Sequence, residues 1–302
     1  MKRVMDVRFL ADLEAWADEA KGKRGTRGPS VAALRLGRGD ATLKATVSQC
    51  EQCVDGWASW EADGSDPTQI KGYNYSGPCP TCGPLHVQAD LLNGVGLPLE
   101  PWGATFATFE RRRPGDTPDA HGARLAALNA AQRFVYDVVD AGSRWADCKG
   151  IALAGGPGRG KTHLLAALGF QLSVELGTVG RKVRIRYVDF GDLMRRAKGS
   201  ISNGGASSSK LIREVAEAQI LLLDELGGGR ATDWEQDVAE EVLRHRYKNR
   251  LPTCFATNCS LGENPDAGDQ LALVNRIGRL AYSRLKSLVR PPTTLLGEDQ
   301  RG

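Results

Sequence analysis

Gly155-Gly156-Pro157-Gly158-Arg159-Gly160-Lys161-Thr162 fills every position of the pattern G-x-x-x-x-G-K-[ST], and its flanks decide the fold class. Ile151-Ala152-Leu153-Ala154 before it is short and apolar, as a buried parallel strand is. After it, Leu164, Leu165, Leu168 and Leu172 recur at helical spacing over residues 162–176. In that strand-turn-helix setting the pattern is a phosphate cradle. The glycines let successive backbone N–H groups turn inward onto phosphate oxygens, Lys161 reaches the β/γ-phosphates, and the Thr162 hydroxyl reaches Mg²⁺. ATP and Mg²⁺ are therefore the expected ligands, held by Gly155, Gly156, Pro157, Gly158, Arg159, Gly160, Lys161 and Thr162.

Downstream, strand-like and helix-like stretches alternate: 183–188, 192–198, 211–218, 220–223, 234–248 and 253–256. That alternation predicts an α/β fold with a parallel sheet flanked by helices. Ile220-Leu221-Leu222-Leu223 delivers Asp224 and Glu225 at its carboxyl end, the edge where ligands bind in such sheets. Asp224 is expected to hold Mg²⁺ together with Thr162, and Glu225 to orient and deprotonate an attacking water. The next strand ends in Asn258, a side chain able to hydrogen-bond that water or the γ-phosphate. The Ser- and Gly-rich residues 199–209 interrupt the order and read either as a surface loop or as a loop facing a polymeric substrate. Residues 123–139 carry the apolar face of a helix that packs beside the sheet.

Upstream, Cys50-Glu51-Gln52-Cys53 and Cys79-Pro80-Thr81-Cys82 are two C-x2-C pairs separated by 25 residues. Four thiolates so arranged can close a tetrahedral Zn²⁺ site. A redox disulfide is the rival chemistry for one pair, but two pairs close together favour metal. Between them a hairpin or short helices should cover the metal, and Trp57, Trp60, Tyr73 and Tyr75 serve as core or, alternatively, as stacking platforms for bases. Gly83 is expected to supply backbone freedom after the second pair. The remaining cysteines, Cys148, Cys254 and Cys259, read as ordinary buried thiols.

The 302 residues divide on this reading into four segments. Residues 1–48 form an amino-terminal helical segment and basic linker, 49–90 a four-cysteine zinc-binding domain, 91–145 a connecting strap and helix, and 146–302 the ATPase domain. Within the first segment, Val7, Leu10, Leu13 and Ala17 mark a short amphipathic helix. Residues 21–29 are a basic joint, or an arm for a nucleic-acid backbone. A formal net charge of +4 decides nothing about nucleic acid. The charged start and the lack of any uninterrupted apolar run of about 18 residues point to a cytoplasmic chain with no membrane partner.

The order of phosphate loop, Asp224-Glu225 strand, Asn258-ended strand and arginine-bearing helix (Asn275-Arg276-Ile277-Gly278-Arg279 through Ser283-Arg284-Leu285) resembles AAA+ ATPases of the replication-initiator clade. Within that clade it is most similar to bacterial and phage helicase loaders of the DnaC/DnaI type. Ala104-Thr105-Phe106-Ala107-Thr108-Phe109 resembles the segment before their ATPase core, and Leu296-Gly297-Glu298-Asp299-Gln300-Arg301 their closing segment. The resemblance implies a sensor role for Asn258, a second sensor in Arg301, and an arginine finger in Arg284 that enters a neighbour's ATP site. Arg276 and Arg279 are alternatives to Arg284. It further implies a homo-oligomer, a replicative DNA helicase gripped by the zinc domain, and single-stranded DNA as partner. An IstB-type transposition ATPase is the alternative with a similar core. A small-molecule kinase fits less well, because the tandem acids and Asn258 suit attack by water. Arg244, Arg246, Lys248 and Arg250 read as a solvated helix end, with DNA contact as the alternative.

Overall fold

The computed structural model describes residues 34–38, 42–48, 50, 53–54, 57–61, 71, 74–79, 82–99, 103–201, 206–229, 231–262 and 272–299. The expected helix over 7–20, the basic joint over 21–29 and the assigned Arg301 lie outside the described residues.

Leu34–Arg38 (β1) and Leu43–Val47 (β2) form an antiparallel hairpin where the sequence suggested only helix and linker. Its apolar side is Leu34, Leu36 and Ala45, a period of two too brief to stand out among glycines and arginines. Trp57–Glu61 (β3) and Asn74–Pro78 (β4) form a second antiparallel hairpin between the cysteine pairs. Gly83 is not a free turn; it opens the helix Gly83–Val95 (α1), with Pro84 in its first turn. This helix runs across residues 90 and 91, where sequence alone drew a boundary.

Further on come Pro118–Asp140 (α2), Ala152–Ala154 (β5), Lys161–Thr178 (α3), Ile185–Asp189 (β6) and Phe190–Ile201 (α4). Ala206–Ala216 (α5), Ile220–Asp224 (β7), Asp233–Lys248 (α6) and Thr253–Thr257 (β8) follow. Leu273–Ile277 (α7), Arg279–Leu288 (α8) and Thr293–Thr294 (β9) complete the chain. The five strands β6-β7-β8-β5-β9 make one parallel sheet in that order.

Successive strand residues point to opposite faces, and each face has its own core. Leu153, Leu222, Cys254 and Ala256 face α1, α2 and α3, while Ala152, Leu221, Leu223 and Phe255 face α4 to α8. Helix α3 is wedged between the sheet and α1. Gly177 makes the approach possible, since a Cβ there would lie 2.4 Å from Gln88 Cγ and 2.8 Å from its backbone. Gln88 spans the contact by donating to the Val174 carbonyl and to Thr178 Oγ1. The cysteine-bearing segment thus shares its helix with the core of the five-stranded sheet.

One basic side chain departs from its expected place at a solvated helix end. Arg246 is fully buried and ties four groups together: Thr253 Oγ1 and the carbonyls of Ala216, Ala218 and Pro252. It faces inward because its position on α6 falls on the same side as Val242 and Leu243, and its fork of donors meets three carbonyls there. Burial lowers its pKa to about 9. Arg244, Lys248 and Arg250 remain exposed.

Candidate phosphate-binding and metal sites

The carboxyl ends of β5, β8 and β7 share one edge, since all run the same way with Ala154 beside Thr257 and Leu223 beside Phe255. The phosphate loop, Asn258 and the Asp224-Glu225 pair each follow directly on those ends. Because β8 lies between β5 and β7, Asn258 emerges between the loop and the acids. Lys161 is only 7% exposed, and its Nζ donates to Asn258 Oδ1 at 2.6 Å and to the Gly156 carbonyl at 2.7 Å.

Backbone geometry at the loop matches the cradle. Gly155, Gly158 and Gly160 have φ of 135°, 65° and 93°, and a Cβ on Gly155 would meet the Leu295 carbonyl oxygen at 2.4 Å. Asp224 is buried; its Oδ1 accepts from the Glu225 backbone N–H at 2.9 Å and its Oδ2 from the Tyr187 hydroxyl. Burial raises the Tyr187 pKa, with the Asp224 charge acting in the same direction, so the phenol remains a donor. Tyr187 had no signal in the sequence beyond being a phenol in a short strand. The β6–β7 register, which sets Asp189 beside Asp224, brings it there.

Glu225 adopts φ 51°, a left-handed backbone that costs a non-glycine residue about 1 kcal/mol or more. The Gly228 N–H donates to its carbonyl, and the Leu226 N–H to the Ala256 carbonyl, which together hold the bend. The result is an exposed carboxylate at the open edge beside a buried one. A half-buried hydroxyl at Thr162 and the Asp224 carboxylate are the hard oxygen donors Mg²⁺ takes, so the residues present fit a nucleotide with its metal.

Lys161→Ala is expected to weaken ATP binding on the order of a hundredfold, the loss of charge-assisted hydrogen bonds to phosphate. Titration with a fluorescent ATP analogue checks this, and an affinity near wild type would refute it.

The model of the IstB-like ATP binding proteins matches residues 126–276, half of the chain, taking in the loop, the acids and Asn258. The chain belongs to this family. Its relatives include the replicative helicase loader DnaC of Escherichia coli K12, 28% identical over 140 residues, which are 46% of this chain and 52% of that protein. The replicative helicase loader DnaI of Bacillus subtilis 168 is 29% identical over 180 residues, 59% of this chain and 48% of that protein. The chain therefore spans about half the length of these curated relatives. A crystal structure of the DnaC helicase loader aligns with a TM-score of 0.48 and 25% identity, covering 64% of this chain and 97% of that one. The sheet with its flanking helices is an ATP-binding AAA+ domain of the IstB/DnaC kind.

Ahead of the IstB-like domain, the fold gathers the two cysteine pairs. Cys50, Cys53, Cys79 and Cys82 bring their sulfurs within 4.8 Å of one another, with Cys50–Cys79 at 4.0 Å and Cys53–Cys82 at 3.3 Å. Four thiolates about 2.3 Å from one zinc ion stand about 3.8 Å apart, so the cluster fits a Zn²⁺ site. Burial raises the Cys82 thiol above its ordinary value, with hydrogen bonds between it and Cys53, Cys79 and Cys50 adding to the shift; a divalent cation reverses that preference. No disulfide joins the seven cysteines. Trp57 is 63% exposed and so is not core; the side chains of Trp60, Tyr73 and Tyr75 lie outside the described residues. Purified protein is expected to carry about one zinc per chain, and Cys79→Ser to lose it while nucleotide binding persists. Elemental analysis of the two proteins decides this.

Arg284 of α8 does not point at a free surface. Its Nη1 donates to Glu240 Oε1 on α6 of the same chain. Arg276 Nη1 donates to the Gly229 carbonyl at 2.8 Å, and Arg279 is exposed. No helix of the described residues is long and apolar enough to cross a membrane.

Proposed function

We propose that the protein is an ATP-hydrolysing helicase loader of DNA replication. The observation that carries the ATPase part is Lys161 held on Asn258 Oδ1 at the edge where Asp224 and Glu225 emerge. Lys161 and the loop N–H groups bind the phosphates, Thr162 and Asp224 hold Mg²⁺, Asn258 contacts the γ-phosphate or the attacking water, and Glu225 removes a proton from that water. When bound there, Mg²⁺ would supply neutralisation of charge on the phosphate oxygens.

Segment 146–302 is the ATPase unit and 49–90 the zinc-binding unit that grips the replicative helicase, with 91–145 between them. Helix α1, shared between the cysteine cluster and α3, offers a rigid link through which nucleotide state reaches the partner. The curated relatives named as replicative helicase loaders support this client. Single-stranded DNA is the second partner, for which the exposed Arg244 and Lys248, one helical turn apart, are the candidate phosphate contacts. Hydrolysis acts as the release switch within a cytoplasmic homo-oligomer.

The family match itself favours a second reading, an IstB-type ATPase that delivers a transposase to DNA. Co-purification with a replicative DNA helicase and with a transposase, each tested with ATP and ADP, separates the two. Capture of the helicase that depends on Cys50, Cys53, Cys79 and Cys82 is the expected result; capture of the transposase alone would replace the loader by the second reading.

A further inference from the structure

Two arginines from the strap before α2 and from α2 itself grip the outside of the phosphate loop. Arg113 Nη1 donates to the Gly158 carbonyl at 2.9 Å, and Arg124 Nη1 donates to the Arg159 carbonyl at 3.2 Å. They therefore hold the C=O ends of two consecutive peptide units, Gly158–Arg159 and Arg159–Gly160. The N–H ends of the same units belong to Arg159 and Gly160, within the stretch whose N–H groups face phosphate. A trans peptide is planar with C=O and N–H pointing opposite ways, so a cation fixed on the outer oxygen fixes the direction of the inner N–H. It also draws electron density toward the oxygen and makes that N–H a stronger donor.

The arrangement is built into the interior rather than laid on the surface. Arg124 is 0% exposed and the Arg113 side chain 12%. Asp116 Oδ2 organises both, accepting from Arg124 Nε at 3.1 Å and from the Arg113 backbone N–H at 2.8 Å. Glu110 accepts from Arg113 Nε at 2.6 Å, and its own side chain is largely exposed. Gly160 sits against the pair, since a Cβ there would lie 3.4 Å from Arg113 Nη2 and 3.7 Å from Arg124 Nη1. Arg124 Nη2 is buried with no hydrogen-bond partner among the described residues.

Burying an arginine costs several kcal/mol, and a second cation beside it adds repulsion. Burial, and then the Arg113 charge, lower the Arg124 pKa accordingly. Asp116 is the buried carboxylate set against these two guanidiniums among the described residues. Glu110 makes the charges formally equal, but its carboxylate is largely exposed and screened by solvent, so the buried part of the cluster carries an excess of positive charge. Behind an anion cradle the excess is offset when polyphosphate arrives.

We propose that Arg113 and Arg124 are positioning residues for nucleotide binding, which align and polarise the Gly158–Arg159 and Arg159–Gly160 peptides so that their N–H groups are set for phosphate. The inference rests on the reading of the loop as the ATP site. Arg113→Met is the main variant, because it leaves the buried Arg124–Asp116 pair intact; Arg113→Lys keeps a cation in place. The dissociation constants of ATP and ADP, the unfolding temperature without nucleotide, and the KM and kcat of hydrolysis are measured for each. Arg113→Met is expected to raise both dissociation constants and KM about tenfold, with kcat and the nucleotide-free unfolding temperature close to wild type. Arg113→Lys should recover most of the affinity. Wild-type binding with Arg113→Met within twofold of it overturns the inference alone. So does a loss of affinity that Lys does not restore and that a fall in nucleotide-free stability accompanies. A wild-type protein that binds no ATP overturns the site reading and this inference with it.

Discussion

Glu225→Gln is expected to bind ATP as wild type does and to hydrolyse it about 10²–10⁴-fold more slowly, the range over which a positioned general base contributes. The substitution keeps the length and shape of the side chain and removes its negative charge together with its capacity to take a proton. The bend that presents Glu225 is held by backbone bonds from Gly228 and Leu226. Asp224 keeps both of its donors, the Glu225 backbone N–H and the Tyr187 hydroxyl. Single-turnover hydrolysis at saturating ATP isolates the chemical step. Equal rates in wild type and variant would remove Glu225 from the mechanism, and parallel loss of binding and turnover would make it a structural residue instead.

Arg284→Ala is expected to leave ATP affinity nearly unchanged while lowering turnover on the order of 10³-fold, as loss of an arginine that meets developing γ-phosphate charge does. Within one chain Arg284 is paired with Glu240, so service at a neighbour's site requires that this pair open on assembly. A half-buried ion pair is a modest barrier to such an exchange, because a triphosphate offers the guanidinium more negative charge than one carboxylate does. Mixing Arg284→Ala with Lys161→Ala tests the shared site directly. A mixed junction joins an intact loop from one chain to an intact arginine from the other, so partial activity should return. Co-assembled mixtures that stay inactive would count against the arrangement and leave Arg284 as a partner of Glu240.

Local sequence determined much of this protein. The phosphate loop was legible because its glycines, lysine and threonine must stand at fixed spacing between a strand and a helix, and the structure has β5 and α3 there. The alternation of apolar strands with amphipathic helices dictated a parallel sheet, since each strand must be buried on both faces. Cys50, Cys53, Cys79 and Cys82 were legible as one cluster because pairs with two residues between them already place two sulfurs on one turn.

What the sequence could not contain is which distant segments meet. The hairpin β1–β2 is too short for its alternation to outweigh the glycines and arginines within it. Arg246 looks like any basic residue near a helix end until the turn before β8 closes over it and surrounds it with carbonyls. Tyr187 meets Asp224 through strand register, Arg284 meets Glu240 through the packing of α8 on α6, and Arg113 and Arg124 reach the loop because the strap and α2 fold back over it. Each of these contacts joins residues from different elements. Side-chain spacing along one element carries its own periodicity, but partners across elements are chosen by how whole faces pack, and only the tertiary structure makes that choice.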